Sequence, residues 1–309
     1  MDYAITVHDF AKNYGSVQAV KGIDFSVRRG SFFAFLGTNG AGKSTTIDTL
    51  TTLLMCEHGE IDINGYRLGK EDEKIRGCIG AVFQQSLLDN LLTVKENLLI
   101  RGSLYHLSGK ELSNRLEEAA AIAGVTDILD RQYRRLSGGQ RRRADIARSL
   151  MQKPQILFMD EPTTGLDPKT RQGIWETIIE MQKNMDMTVF LTTHYMEEAV
   201  GADDVVIIDH GKIIEEGTPS ELKEKYTKNH LILYGIDEKT KSYLDEHKLE
   251  HEQKVDAMWI PIEGKDHAIG LINDMRDLYK NFEVKMGTMD EMFINIIGRE
   301  EALHESNDK

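Results

Sequence analysis

The chain is predicted to fold as an α/β protein around a largely parallel β-sheet with both faces covered, and three features of its 309 residues carry that prediction. The apolar segment FFAFL runs straight into a glycine loop and then into a stretch of helical period. Two more apolar segments, ILFM and TVFLTT, end in ionisable residues, Asp160-Glu161 and His194. Helix-period stretches separate these strands, the alternation expected of a parallel sheet.

Taken in order, residues 3–36 read as β, with Ile23, Phe25 and Val27 alternating with polar residues, which predicts an N-terminal antiparallel β-subdomain ahead of the loop. The helix after the loop is expected to start near Gly42 and to carry Ile47, Leu50, Leu53 and Leu54 on one face. EIDINGY, with Asn64-Gly65, predicts a hairpin, and IGAVF at 79–83 a short buried strand leading into Gln84. From Thr93 to about Gly124 the pattern is helical and free of proline, with Leu98, Ser108, Leu112 and Leu116 marking two helices of a subdomain inserted over about 90–150. The helix opened by SGGQ, the strand ILFM, a helix after Pro168 and the strands TVFLTT and VVIID complete a first domain, 1–228. Residues 229–309 hold 18 acidic against 10 basic side chains and no nucleotide signature. HLILYGI, a charged helix, MWIPI, a helix over Ile269–Leu278, FEVKM and a final helix predict a small C-terminal α+β domain there.

Composition narrows the function. No apolar run approaches the ~18 residues that cross a bilayer. The start, MDYAITVHDF, lacks a basic then apolar leader, so a cytoplasmic location is expected. Cys56 and Cys78 fit neither a disulfide framework nor a metal motif. A net charge of −13 argues against a general nucleic-acid binder, whose affinity comes from displacing counterions with Lys and Arg.

The chemistry lies in two glycine-rich segments. GTNGAGKST, Gly37 to Thr45, fits G-x-x-x-x-G-K-[ST] in its strand–loop–helix context and predicts a P-loop NTPase. Amides of Gly40, Ala41, Gly42, Lys43, Ser44 and Thr45 would hold phosphate oxygens, Lys43 would reach the β- and γ-phosphates of ATP, and Ser44 would bind Mg²⁺. LSGGQ, Leu136 to Gln140, is a Ser-Gly-Gly turn opening a helix and offers a second set of free amides to an anion. One copy seldom needs two such sets, so ATP is expected between two copies. Asp160, at a strand's C-terminal end, can hold the Mg²⁺ shell, and Glu161 can orient and deprotonate a water; the bland alternative is that both cap the next segment. His194 ends another strand and can approach the same γ-phosphate. His247 and His251 are spaced to share a helix face, without a third ligand for a metal. Arg141, Arg142 and Arg143 oppose the dipole of the SGGQ helix, so a bound phosphate, nearby carboxylates or a solvated face must accommodate them.

In this order these segments resemble the nucleotide-binding subunit of ABC transporters, over residues 3–225. The resemblance implies that Gly37, Asn39 and the rest of the first loop bind ATP, that Tyr14 stacks on adenine, and that Gln84 senses Mg²⁺ and the attacking water while its loop meets the membrane partner. It implies that Asp167 communicates across the dimer and that Ser137, Gly138, Gly139 and Gln140 face the γ-phosphate held by the other subunit. Without the resemblance, Tyr14 is a packing residue, Gln84 a polar residue after a strand and Asp167 an N-cap before Pro168. Thr38 departs from the family, which usually has proline there. The ending TMDEMFINIIGRE and the stretch RRRADIARSL, with Asp145, are similar to ATPases that pair with ABC-2-type export permeases. The implied protein is an Mg²⁺-dependent ATPase on the cytoplasmic face of the membrane, a homodimer or a heterodimer with a related ATPase, driving a separate permease for export. The alternatives are a soluble ABC-type ATPase of translation or DNA maintenance, and a regulator that does not hydrolyse. The first usually needs two cassettes or a long coiled coil, and Glu161 and His194 speak against the second.

Overall fold

The computed structural model describes residues 2–307, which divide into two compact units, one running to Thr218 and the other starting at Pro219. In the first unit, β1 (Tyr3–Tyr14) and β2 (Val17–Arg28) form a long antiparallel hairpin turned at Gly15, where φ is 59°. β3 (Phe32–Gly37) is buried throughout and passes through the glycine loop into α1 (Lys43–Leu50). This helix stops earlier than its apolar spacing predicts. The Thr51 hydroxyl bonds back to the Ile47 carbonyl and Thr52 adopts a left-handed φ of 64°, so the chain leaves the helix axis and Leu53 ends 61% exposed.

β4 (His58–Ile63) and β5 (Tyr66–Arg67) are joined by Asn64-Gly65, both with positive φ as the expected tight turn requires. They extend the hairpin to a four-stranded antiparallel sheet of order β2-β1-β4-β5. α2 (Asp72–Cys78) leads into β6 (Ile79–Val82). α3 (Val94–Leu104), opened by a capping box between Thr93 and Glu96, packs on α4 (Gly109–Ile122) and α5 (Gly138–Leu150). β7 (Ile156–Asp160), α6 (Pro168–Met185), β8 (Thr188–Thr193), β9 (Asp204–Asp209) and β10 (Lys212–Gly217) follow.

The central sheet has the order β10-β9-β3-β8-β7-β6, parallel except for β10. Phe190 of β8 is fully buried, its ring 5.2–6.1 Å from those of Phe25, Phe33, Phe35 and Phe158, so the antiparallel and parallel sheets share one apolar core. Because β3, β7 and β8 are neighbours running the same way, their carboxyl ends bring Gly37, Asp160 and Thr193 to one edge of the sheet.

The second unit begins with α7 (Pro219–Tyr226), ahead of the boundary near 228 read from composition. α7 belongs there because Tyr226 is held by α10 (Met289–Asn307): its carbonyl accepts from Asn295 Nδ2 at 2.7 Å and its ring lies under Arg299. Between them run β11 (Asn229–Tyr234), α8 (Glu238–Glu246), β12 (Glu252–Lys254), β13 (Ala257–Ile262), α9 (Lys265–Asp274) and β14 (Asn281–Lys285). The antiparallel order β12-β13-β11-β14 gives a βαββαβ arrangement of ferredoxin-like type. Leu231, Leu233, Leu244, Met258, Ile260 and Met275 form its core. α9 starts and stops about four residues before the expected 269–278, because Ala268 and Leu271 are the residues it buries. His247 caps α8 and His251 lies beyond it, so the two do not share a helix face. Among the described residues no helix is long and apolar enough to cross a membrane, and no group of His, Cys, Asp and Glu could hold a metal ion by itself.

Candidate functional site

The glycine loop owes its shape to close approach. A Cβ at Gly37 would lie 2.3 Å from the Ile208 carbonyl oxygen, and one at Gly42, where φ is 112°, would lie 2.8 Å from that of Ala19. Gly40 also has positive φ, at 82°. These turns set Gly42 as N-cap of α1, where no side chain caps the helix and the first-turn amides have no partner within it, as phosphate binding needs. Lys43 is buried, and its Nζ donates to the Gly37 and Thr38 carbonyls at 2.8 and 3.0 Å. Burial lowers its pKa, against the opposing pull of the Glu161 and Asp160 charges. Ser44 and Thr45 follow in the first turn, Asn39 sits exposed on the loop, and Tyr14 ends β1 with its ring half exposed.

Asp160 is buried at the end of β7 and accepts a 2.5 Å hydrogen bond from the Thr192 hydroxyl. Burial, and then the Glu161 charge beside it, push its carboxyl above the usual carboxylate range. Glu161 has a left-handed φ of 44°, an uncommon and strained value for a residue with a side chain. That turn redirects its carboxylate from Asp160's. Glu161 Oε2 accepts from the Thr164 hydroxyl at 3.1 Å and from Gln84 Nε2 at 3.4 Å, while Oε1 lies 3.0 Å from His194 Nδ1. The His194 contact has ion-pair distance but is out of line for a hydrogen bond, leaving Nδ1 buried without a hydrogen-bond partner. Gln84, Glu161 and His194, from the ends of three strands, therefore converge on one point, with Asp160 and Lys43 electrostatically coupled to Glu161.

Ser137 and Gln140 form a reciprocal capping box at the start of α5: Gln140 N donates to Ser137 Oγ at 3.3 Å and Ser137 N to Gln140 Oε1 at 3.1 Å. The two glycines between them serve packing as well as exposure of amides. A Cβ at Gly139 would lie 2.3 Å from Thr170 Cγ2, and one at Gly138 3.1 Å from Leu166 Cδ2. Asp167 caps α6, its carboxylate accepting from Thr170 N at 3.0 Å and from the Thr170 hydroxyl at 2.5 Å. A cavity of about 360 Å³ lies between Gly138 and Arg141 on one side and Gln84 and Glu161 on the other.

Two of the three arginines after SGGQ, Arg141 and Arg142, hydrogen-bond to protein carbonyls. Arg141 donates to the Arg134 carbonyl at 2.8 Å and lies over the Tyr133 ring. Arg142 is buried and donates to the carbonyls of Phe83 at 2.5 Å and Asp160 at 3.2 Å, tying α5 to the strand ends that carry Gln84 and Glu161. Asp145, also buried, accepts from the hydroxyls of Ser86 at 2.6 Å and Tyr133 at 3.1 Å. Thr192, Thr164 and Ser86 belong to none of the motifs, and Arg142, read only as one of three like charges, has partners that no motif specifies. Thr192 could have been found from its place two residues before His194 in a strand whose end is functional; the others depend on tertiary approach.

Known proteins resemble this chain in sequence and in fold. A family profile described as ABC transporter matches residues 20–164. The chain is 35% identical to the linearmycin resistance ATP-binding protein LnrL of Bacillus subtilis, over 96% of this chain and 98% of that protein. It is 41% identical to the daunorubicin resistance ATP-binding protein DrrA3 of Streptomyces coeruleorubidus, over 72% of this chain and 70% of that protein. Among solved structures, cbiO1 of Clostridium perfringens, part of the ABC transporter complex cbiONQ, superposes with a TM-score of 0.67 at 31% identity, covering 72% of this chain and 91% of its own. An ATP-binding cassette solved as a dimer in a post-hydrolysis state with ADP and Pi gives 0.63 at 28% identity, covering 69% of this chain and 98% of its own.

Proposed function

We propose, for a chain that belongs to the ABC transporter family of ATP-binding subunits, that it hydrolyses ATP at the interface of a dimer and thereby drives export through a separate integral-membrane permease. The observation that carries this reading is the convergence of Gln84, Glu161 and His194 beside Lys43 and Asp160 at the carboxyl edge of the parallel sheet. The export direction is supported by relatives named for linearmycin resistance, for daunorubicin/doxorubicin resistance and for Nod factor export.

In this reading the amides from Gly40 to Thr45, with Gly37 and Asn39, cradle the phosphates, and Lys43 turns its ammonium from the loop carbonyls to the β- and γ-phosphates. Tyr14 stacks on the adenine. Ser44, Gln84 and Asp160 would hold Mg²⁺: Ser44 and Gln84 are exposed, Asp160 is buried beside Glu161, and a set of oxygen donors with two adjacent carboxylates fits a hard divalent cation. Mg²⁺ would offset the charge on the transferring phosphoryl group. Glu161, held off Asp160 by its left-handed backbone, takes the proton of a water oriented with Gln84. His194 holds the γ-phosphate. Catalysis on this account is mostly positioning and electrostatic stabilisation.

Ser137, Gly138, Gly139 and Gln140 reach the γ-phosphate bound by the other subunit, with Asp167 beside the interface. The partner ATPase is a second copy or a related chain, and the assembly lies peripherally on the cytoplasmic face of the membrane. Phosphate release from the purified chain requiring both ATP and Mg²⁺, together with co-purification of a multi-spanning membrane protein, is the expected result. A chain that binds ATP without releasing phosphate, or that purifies with no membrane protein, contradicts it.

A further inference from the structure

We propose that Asp209 is a positioning residue for nucleotide binding, acting on the phosphate loop through the hydroxyl of Thr38; this rests on the nucleotide site proposed above. Asp209 ends β9, beside β3, in a register that pairs Ile208 with Gly37. It is 6% exposed, and its Oδ1 accepts a 2.9 Å hydrogen bond from Thr38 Oγ1. Its second oxygen lies 3.7 Å from His210 Nε2, too far for a hydrogen bond. A buried carboxylate needs a donor, and here the close donor belongs to the phosphate loop itself.

The turn after Asp209 holds the same loop from a second side. His210 and Gly211 have φ of 45° and 80° and join Asp209 to its antiparallel partner Lys212 in a two-residue hairpin turn. Gly211 N donates to the Ala41 carbonyl at 3.0 Å, and the Gly211 carbonyl accepts from Lys21 N at 2.8 Å. A Cβ on Gly211 would lie 2.8 Å from the Ala19 carbonyl oxygen, so the turn is wedged against β2 while it grips the loop.

Thr38 and Ala41, themselves joined by a 3.2 Å backbone hydrogen bond, are therefore both fixed to the end of β9. The Thr38 carbonyl in turn receives Lys43 Nζ, so the position of Thr38 sets the position of the phosphate-binding ammonium. Thr38 occupies the place where the resemblance leads one to expect proline. Proline stiffens a loop through its ring; a hydroxyl bonded to a buried carboxylate imposes a comparable restraint through a contact. Either device reduces the ordering lost when phosphate binds.

The test is calorimetric titration of the full chain with ADP, with melting temperatures recorded for each variant. Thr38→Val and Asp209→Ala should each weaken ADP binding by roughly tenfold, the loss of one charge-assisted hydrogen bond. Asp209→Asn retains an acceptor and should stay within about threefold of the parent. Combining Asp209→Ala with Thr38→Pro should restore binding to within about threefold, because the ring replaces the lost restraint. Parental affinity in both Thr38→Val and Asp209→Ala overturns the proposal. So does a double variant that melts like the parent yet binds as weakly as Asp209→Ala. If the parent itself takes up no ADP, or Lys43→Ala binds equally well, the underlying nucleotide site fails instead.

Discussion

Replacing Asp145 by alanine should loosen the junction between α5 and the Gln84 loop. The carboxylate is 4% exposed and accepts from the hydroxyls of Ser86 and Tyr133, two residues that belong to different segments. Hydrogen bonds to a charged group contribute about 1.5–3 kcal/mol each. Against this stands the cost of burying the carboxylate, large enough to push its pKa up despite Ser86, Arg148 and Arg142. The difference is a loss of about 2–4 kcal/mol. At about 2–4 °C per kcal/mol for a unit of this size, the melting temperature should fall by roughly 4–16 °C. The relevant transition is the one that ADP raises, since ligand binding marks the unit that holds the site. Asp145→Asn keeps an acceptor and should lose less than half as much, and Ser86→Ala should be non-additive with Asp145→Ala. An Asp145→Ala variant within about 0.5 kcal/mol of the parent, or additive with Ser86→Ala, would refute the reasoning.

Asp160→Asn should separate stability from function. Because the folded-state pKa of Asp160 is raised above its ordinary 3.8, this carboxyl favours the fold at low pH and weakens it as pH rises through that window. The variant should therefore melt higher than the parent at pH 7, lose that advantage near pH 4, and turn over ATP at least about 100-fold more slowly; a lower melting point at pH 7 would contradict this. Phe190→Ala, at the centre of the aromatic core beneath the site, should cost about 3–5 kcal/mol in denaturant unfolding, and a cost below about 1 kcal/mol would mean that this core does not support the sheet.

Much of this architecture is legible in local pattern. FFAFL, ILFM and TVFLTT are buried on both faces, so they read as continuous apolar runs and their ends as sites, and the Asn64-Gly65 turn follows from backbone freedom. What escapes the sequence is decided by local backbone turns and by distant contacts. Leu53 has helical spacing, but the left-handed Thr52 ends the helix before it. Arg142 reads as one of three like charges, yet its guanidinium is buried on carbonyls 18 and 59 residues away. The glycines of SGGQ read as anion ligands, while Gly139 also admits Thr170 at a distance no Cβ would allow and Gly138 leaves room for Leu166, which a Cβ would crowd. Composition places the inter-unit boundary late because α7 is as polar as the segment that follows, and only its contact with α10 shows where it belongs.

The central claim is that Glu161 acts on water while ATP holds two subunits together, and Glu161→Gln tests it most directly. The substitution preserves size and the contacts with Gln84 and Thr164 but removes the base. Size-exclusion chromatography of the variant with ATP and Mg²⁺, with phosphate release measured on the same sample, should show a stable dimer and turnover reduced by at least about 100-fold. Parental turnover with no dimer would contradict the account.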